Sequence, residues 1–178
     1  MRSRWWLGWL LATGSCTSQH AEPDASPLAD STIDSPIDAS PSCLEATSHS
    51  DLAFIEDRIF RVGCTFQACH DGVGTTGTLD LRASMSHAAL VDVDAGTDAL
   101  ASPPGSYKLV VPNQPRQSYL LFTLRHYSGP EMVPPAGEPD PDVGYMPQDT
   151  TGLLPPLCVE KREAIVRWIE AGAPPRSL

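Results

Sequence analysis

The segment Cys64-Thr-Phe-Gln-Ala-Cys69-His70 constrains this chain more than any other. It presents two thiols and an imidazole from one short stretch of backbone, and three chemistries use such a set. Both thiols can add to the vinyl groups of one porphyrin while the histidine ligates its iron, as in the Cys-x-x-Cys-His attachment of c-type haem. The thiols can instead close on each other as a disulfide beside a bystander histidine. A zinc ion is the third use; it needs a fourth ligand, for which His87 is the candidate, but no second Cys or His pair stands at finger-like spacing. Covalent haem is the expectation. Here four residues separate the cysteines where the attachment motif has two, so Phe66 and Gln67 or their neighbours must bulge.

The N-terminus says where such chemistry would take place. Arg2 and Arg4 precede an apolar run from Trp5 to Ala12, followed by Thr13-Gly14-Ser15-Cys16. A charged start, a short apolar stretch and small residues make an export signal, expected over residues 1–15. Cys16 stands where a bacterial lipoprotein is acylated, which would anchor the chain to a membrane at the periplasmic or cell surface. Ordinary cleavage nearby, giving a secreted protein, is the alternative. No later segment is apolar for long enough to cross a bilayer. Losing Arg2 and Arg4 would reduce the 12 basic residues to 10 against 22 acidic ones. That balance excludes nucleic acid and anionic lipid as charge-driven partners, and its simplest use is solubility.

From Thr17 to Ser42 the composition narrows to Ser, Pro, Asp, Ala and Thr, with a loose echo in Asp24-Ala-Ser-Pro27, Asp34-Ser-Pro36 and Asp38-Ala-Ser-Pro41. Such a stretch has little to bury, so residues 16–42 read as a disordered tether and 43–178 as the folded domain. With Cys16 lipidated and Cys64 and Cys69 on haem, Cys43 and Cys158 remain as an even pair. A disulfide between them would contribute on the order of 4 kcal/mol by restricting the unfolded chain. Pairing of either with Cys64 or Cys69 competes if no haem is present.

Helical spacing runs from Ser50 to Val62, with Ser48 or Ser50 as N-cap and Asp51 in the first turn. A short helix is expected over Ser84 to Val91 with Met85 and Leu90 facing inward, and another over Gln114 to Arg125. Leu109 to Pro112 is extended, because proline disfavours helix before it. Residues 128–147 carry six prolines and read as loop. Val159 to Ala171 gives the clearest helix, with Ile165, Trp168 and Ile169 on one face and Gly172 and Pro174-Pro175 ending it. No strand-type alternation is long enough to suggest a sheet, so the fold class is all-α, a few helices joined by long loops.

Several pieces in order resemble the small cytochrome c-like domains of exported myxobacterial and planctomycete lipoproteins. They are Ile59-Phe60, Cys64…Cys69-His70, Leu79-Asp80-Leu81, Val110 to Leu120, Met146-Pro147, and Ile165 to Ala173. The resemblance spans roughly residues 50 to 175 and implies a helical shell around one haem c, with the last helix packed on the first. It further implies His70 as one axial ligand of the iron and a methionine in a Met-Pro segment as the other. Met146 is that residue; Met132, in Met132-Val-Pro-Pro, is its rival, with His126, His87 and Met85 behind them. Asp71 stands where the family often has glycine.

The function expected on this basis is electron transfer to and from an unidentified redox protein, not enzymatic catalysis. A peroxidase-like reaction would need the open position that a methionine ligand blocks. Arg125 or Arg167 is the candidate partner of a haem propionate, with nothing in their positions to choose between them, and Trp168 reads as core. No nucleophile elbow, phosphate loop or zinc-protease helix is present. The alternative from another class is a haem-free structural or interaction lipoprotein, the same shell closed by disulfides.

Overall fold

A computed structural model describes residues 40–65, 69–72, 79–95, 107–137, 145–147 and 156–177. All belong to one unit, Pro36–Leu178. The signal segment, Cys16, the tether before residue 40, and Phe66 and Gln67 lie outside the described residues.

Helix α1 (Pro41–Ala46) begins two residues inside the stretch read as tether, because Pro41 suits a first helical turn. A helical run then extends over 52–63. It opens as α2 (Leu52–Phe54), widens into a π-helical segment (Ile55–Phe60) and closes as α3 (Arg61–Gly63). Its N-cap is Asp51, which accepts the Phe54 N–H at 2.8 Å, rather than either serine. Leu52, Phe54, Ile55, Ile59 and Phe60 are buried.

The next helix is shorter than its sequence suggests. In α4 (Ser86–Leu90) Leu90 is buried as expected, but Met85 precedes the first turn and is 49% exposed. The expected helix over 114–125 breaks in two, a 3-10 turn (Pro115–Gln117) and α5 (Tyr119–Thr123). Ser118 causes the break. Its hydroxyl donates to Gln114 O at 3.0 Å and accepts Val111 N–H at 2.9 Å, competing with helical backbone bonds. The proline-rich segment contains a second 3-10 turn (Gly129–Glu131).

Helix α6 (Val159–Glu170) buries Ala164, Ile165, Val166, Trp168 and Ile169, and packs on α1, α5 and the π-helical segment. Gly172, at φ 92°, ends it in the left-handed conformation that favours glycine. Trp168 has no exposed surface, and its indole N–H donates to Pro174 O at 2.9 Å. Among the described residues there is no strand, only isolated bridges such as Asp71 with Asp80 and Val91 with Val110. The described residues are thus helix-rich, as an all-α class requires.

Two clusters form the interior. The larger joins the 52–63 run, α5 and α6 through Ile55, Ile59, Phe60, Leu121, Ile165 and Trp168. The smaller is aromatic: Tyr107, Tyr119, Phe122 and Met132. Cys43 and Cys158 form a disulfide, Cα atoms 6.2 Å apart, between α1 and the start of α6. It closes a separation of 115 residues.

Candidate functional site

Cys64 follows α3 directly, its N–H bonded to Phe60 O at 2.7 Å. The end of the helical run therefore fixes where this cysteine enters the site. Its side chain is partly buried and packs against the larger cluster. Both Cys64 and Cys69 are thiols. Burial pushes the Cys64 thiol up to about 12, and the neighbouring Cys69 acts in the same direction. Cys64 is therefore protonated at neutral pH, unlike the low-pKa thiolates of catalytic or redox-sensing cysteines.

His70 is held by its backbone on both sides. Its N–H donates to Cys64 O at 3.0 Å, and its carbonyl accepts Leu81 N–H at 2.8 Å. The first bond closes the loop between the two cysteines, and the second fastens the segment that follows. Burial pushes the imidazole pKa down, which keeps it in the neutral form that ligates metal. Its Nδ1 is buried without a hydrogen-bond partner among the described residues. An orphaned polar atom of this kind costs about 1–3 kcal/mol, which a ligand or acceptor brought to the ring would relieve.

The candidate distal ligands separate cleanly. Met146 is partly buried and packs against the same larger cluster as Cys64. Its N–H donates to Thr123 O at 2.8 Å, so α5 holds its backbone. Met132 is 1% exposed and fills the aromatic cluster. It is a core residue. The Nε2 of His87 lies 3.0 Å from Ala173 O. The Nε2 of His126 lies 3.8 Å from Glu163 Oε1, with its ring edge-on to Tyr127.

The two arginines considered for a propionate also differ. Arg167 donates to Ala46 O at 2.7 Å and His49 O at 2.9 Å, satisfying carbonyls at the end of α1 and beyond it. Arg125 is exposed, with its guanidinium 4.6 Å above the Tyr145 ring. Trp168, as expected, is core.

The donor chemistry here does not suit a compact zinc site. Among the described residues, the one group of three Cys, His or acidic ligand atoms that converge is Cys43, Cys158 and Glu160, whose two sulfurs are joined as a disulfide. Cys64, Cys69 and His70 do not converge on a point, whereas a porphyrin takes its thioethers and its axial ligand at separate atoms. The neutral imidazole, the two thiols and the thioether of Met146 make a donor set that fits haem.

Sequence reasoning missed Glu56. This residue is 1% exposed, and Oε1 accepts from Ser84 N at 2.9 Å and Ser86 Oγ at 2.7 Å. Oε2 accepts from Arg176 at 2.9 Å. The signal was available, because Leu52, Glu56, Ile59 and Phe60 share one face of a helix, and a lone carboxylate there needs partners.

No family model, curated protein or solved structure matches this chain.

Proposed function

We propose that this chain is an exported monohaem c-type cytochrome domain that carries electrons, anchored by lipid at Cys16 on the periplasmic or cell surface. Cys64 and Cys69 would attach the haem, and His70 and Met146 would hold its iron. The observation that carries the proposal is that Cys64 and Met146 pack on one cluster while Met132 is enclosed in the other. The haem supplies one-electron exchange. The chain's own residues fix the rest. Helix α3 and the Phe60 carbonyl place Cys64, the bonds to Cys64 O and Leu81 N hold His70, and α5 holds Met146 through Thr123. With a thioether and an imidazole as its donors, the iron would have a higher reduction potential than with two imidazoles. The partner is a redox protein, and no chemical transformation is assigned to the domain itself.

A haem-free lipoprotein is the second reading. It is favoured by the Cys43–Cys158 bridge, which closes the domain without any cofactor.

Expression with a periplasmic haem-attachment system distinguishes the two. The purified protein should keep its colour through acid–acetone extraction, carry haem on a denaturing gel, and gain the mass of one haem. A colourless product containing only disulfides would establish the second reading. In the coloured protein, Met146→Ala should abolish the weak far-red charge-transfer band of thioether-ligated ferric haem and lower the midpoint potential. Met132→Ala should leave both in place.

A further inference from the structure

Arg125 occupies a costly position for its type. Helix α5 ends at Thr123, and two residues later the backbone turns left-handed, with Arg125 at φ 59°. Glycine or asparagine adopts that conformation readily, whereas an arginine resists it. The turn is well determined by its backbone: Arg125 N–H donates to Phe122 O at 2.9 Å, His126 N–H to Leu121 O at 2.8 Å, and Arg162 donates to the carbonyl of Arg125. None of these bonds uses the Arg125 side chain. That side chain reaches the face of Tyr145, where a cation is attracted by the ring quadrupole. The Tyr145 ring also rests edge-on against Phe122 of α5, at 5.8 Å between centroids. The next residue is Met146, bonded through its N–H to Thr123 O.

The geometry points to Arg125 as a positioning residue for Met146. Its guanidinium presses Tyr145 onto α5, which fixes the 145–147 segment at the end of the helix. Three contacts from one short stretch of α5 and its C-terminal turn converge there: Thr123 O on the Met146 amide, Phe122 on the Tyr145 ring edge, and Arg125 on its face. A thioether presented from such a segment is held before any ligand arrives, so little ordering remains to be done on binding. The significance for iron ligation rests on the function proposed above; the clamp itself does not.

The test uses Arg125→Gly, which removes the guanidinium and supplies the residue best suited to φ 59°, so the turn is retained. Hydrogen exchange at the Met146 amide is read on the full chain isolated without haem attachment. Exchange should be about threefold to fivefold faster than in the parent, the magnitude of an exposed cation–π contact. Tyr145→Leu should give a similar change, the double variant little more than either single one, and Tyr145→Phe almost none. Unchanged exchange in Arg125→Gly, or fully additive effects of Arg125→Gly and Tyr145→Leu, would overturn the clamp. In haem-loaded protein, Arg125→Gly should also weaken the far-red band while leaving covalent attachment intact. A parent chain that takes up no haem would overturn the proposed function alone, because the exchange measurement needs no haem.

Discussion

Arg176, near the C-terminal end of the chain, donates at 2.9 Å to Glu56, a carboxylate whose side chain has no exposed surface. The same guanidinium reaches Asp57 at 3.5 Å. Ser84 and Ser86 complete the set, so three distant parts of the sequence meet on one buried charge. Glu56 stands in the π-helical segment of the run that delivers Cys64. The tail after α6 thus steadies the helix leading into the candidate attachment site.

Glu56→Ala should destabilise the domain by about 3 kcal/mol, since it leaves a buried hydroxyl and a backbone N–H without their acceptor. Arg176→Ala should cost less, because Ser84 and Ser86 still serve the carboxylate and water can reach the vacated side. Urea denaturation of the two variants tests the order. A larger loss in Arg176→Ala would mean that charge neutralisation, not hydrogen bonding, holds Glu56 inside.

Met132→Ala should destabilise by about 3 kcal/mol through loss of packing against Tyr107, Tyr119 and Phe122. Met146→Ala, at a partly buried position, should cost distinctly less in the haem-free chain. Denaturation midpoints compared at constant slope report the difference.

Replacing Cys43 and Cys158 together by serine should lower stability by about 5 kcal/mol, the loop-entropy contribution of a bridge of this separation. Reduction of the parent by dithiothreitol should produce a similar loss. Equal stability with and without reductant would show that the packing of α1 on α6 already provides the constraint.

Stability should fall as the pH drops below about 6.5. Burial is the main influence pushing the His126 pKa below 6.5, with Arg162 acting the same way and Glu163 opposing. Above 6.5 both folded and unfolded states carry a neutral imidazole, so His126 makes no difference. Below it the unfolded chain takes up a proton first, and folding loses ground until the folded pKa is reached. His126→Gln should flatten part of this slope, as measured by denaturation at several pH values between about 7 and 5.

The parts legible from sequence were those where one local signal dominated. Helix α6 has an apolar face, a glycine stop and two prolines, and it forms almost as expected. The 52–63 run was legible for the same reason, although π-helical winding leaves no mark in apolar periodicity. Ser118 defeated the single helix over 114–125 because its hydroxyl competes from within an otherwise helical pattern. Met132 was legible as a methionine among prolines but not as core, since its partners Tyr107, Tyr119 and Phe122 come from elsewhere in the chain. Cys64, Cys69 and His70 could be picked out directly as one local set of donor side chains. The missing acceptor at His70 Nδ1 could not, because it depends on what the fold brings to that nitrogen.

The Cys43–Cys158 bond turns everything between those residues into a closed covalent ring. Cys64, Cys69, His70, Met132 and Met146 all lie on it. A protease that cuts the ring once, for instance among the prolines between Met132 and Met146, opens it without releasing a fragment. Both new ends stay tied to α1 and α6. A nicked molecule would migrate whole on a non-reducing gel and separate only under reduction. For a domain proposed to work outside the cytoplasm, that makes a single cut survivable and keeps both proposed iron ligands on one molecule.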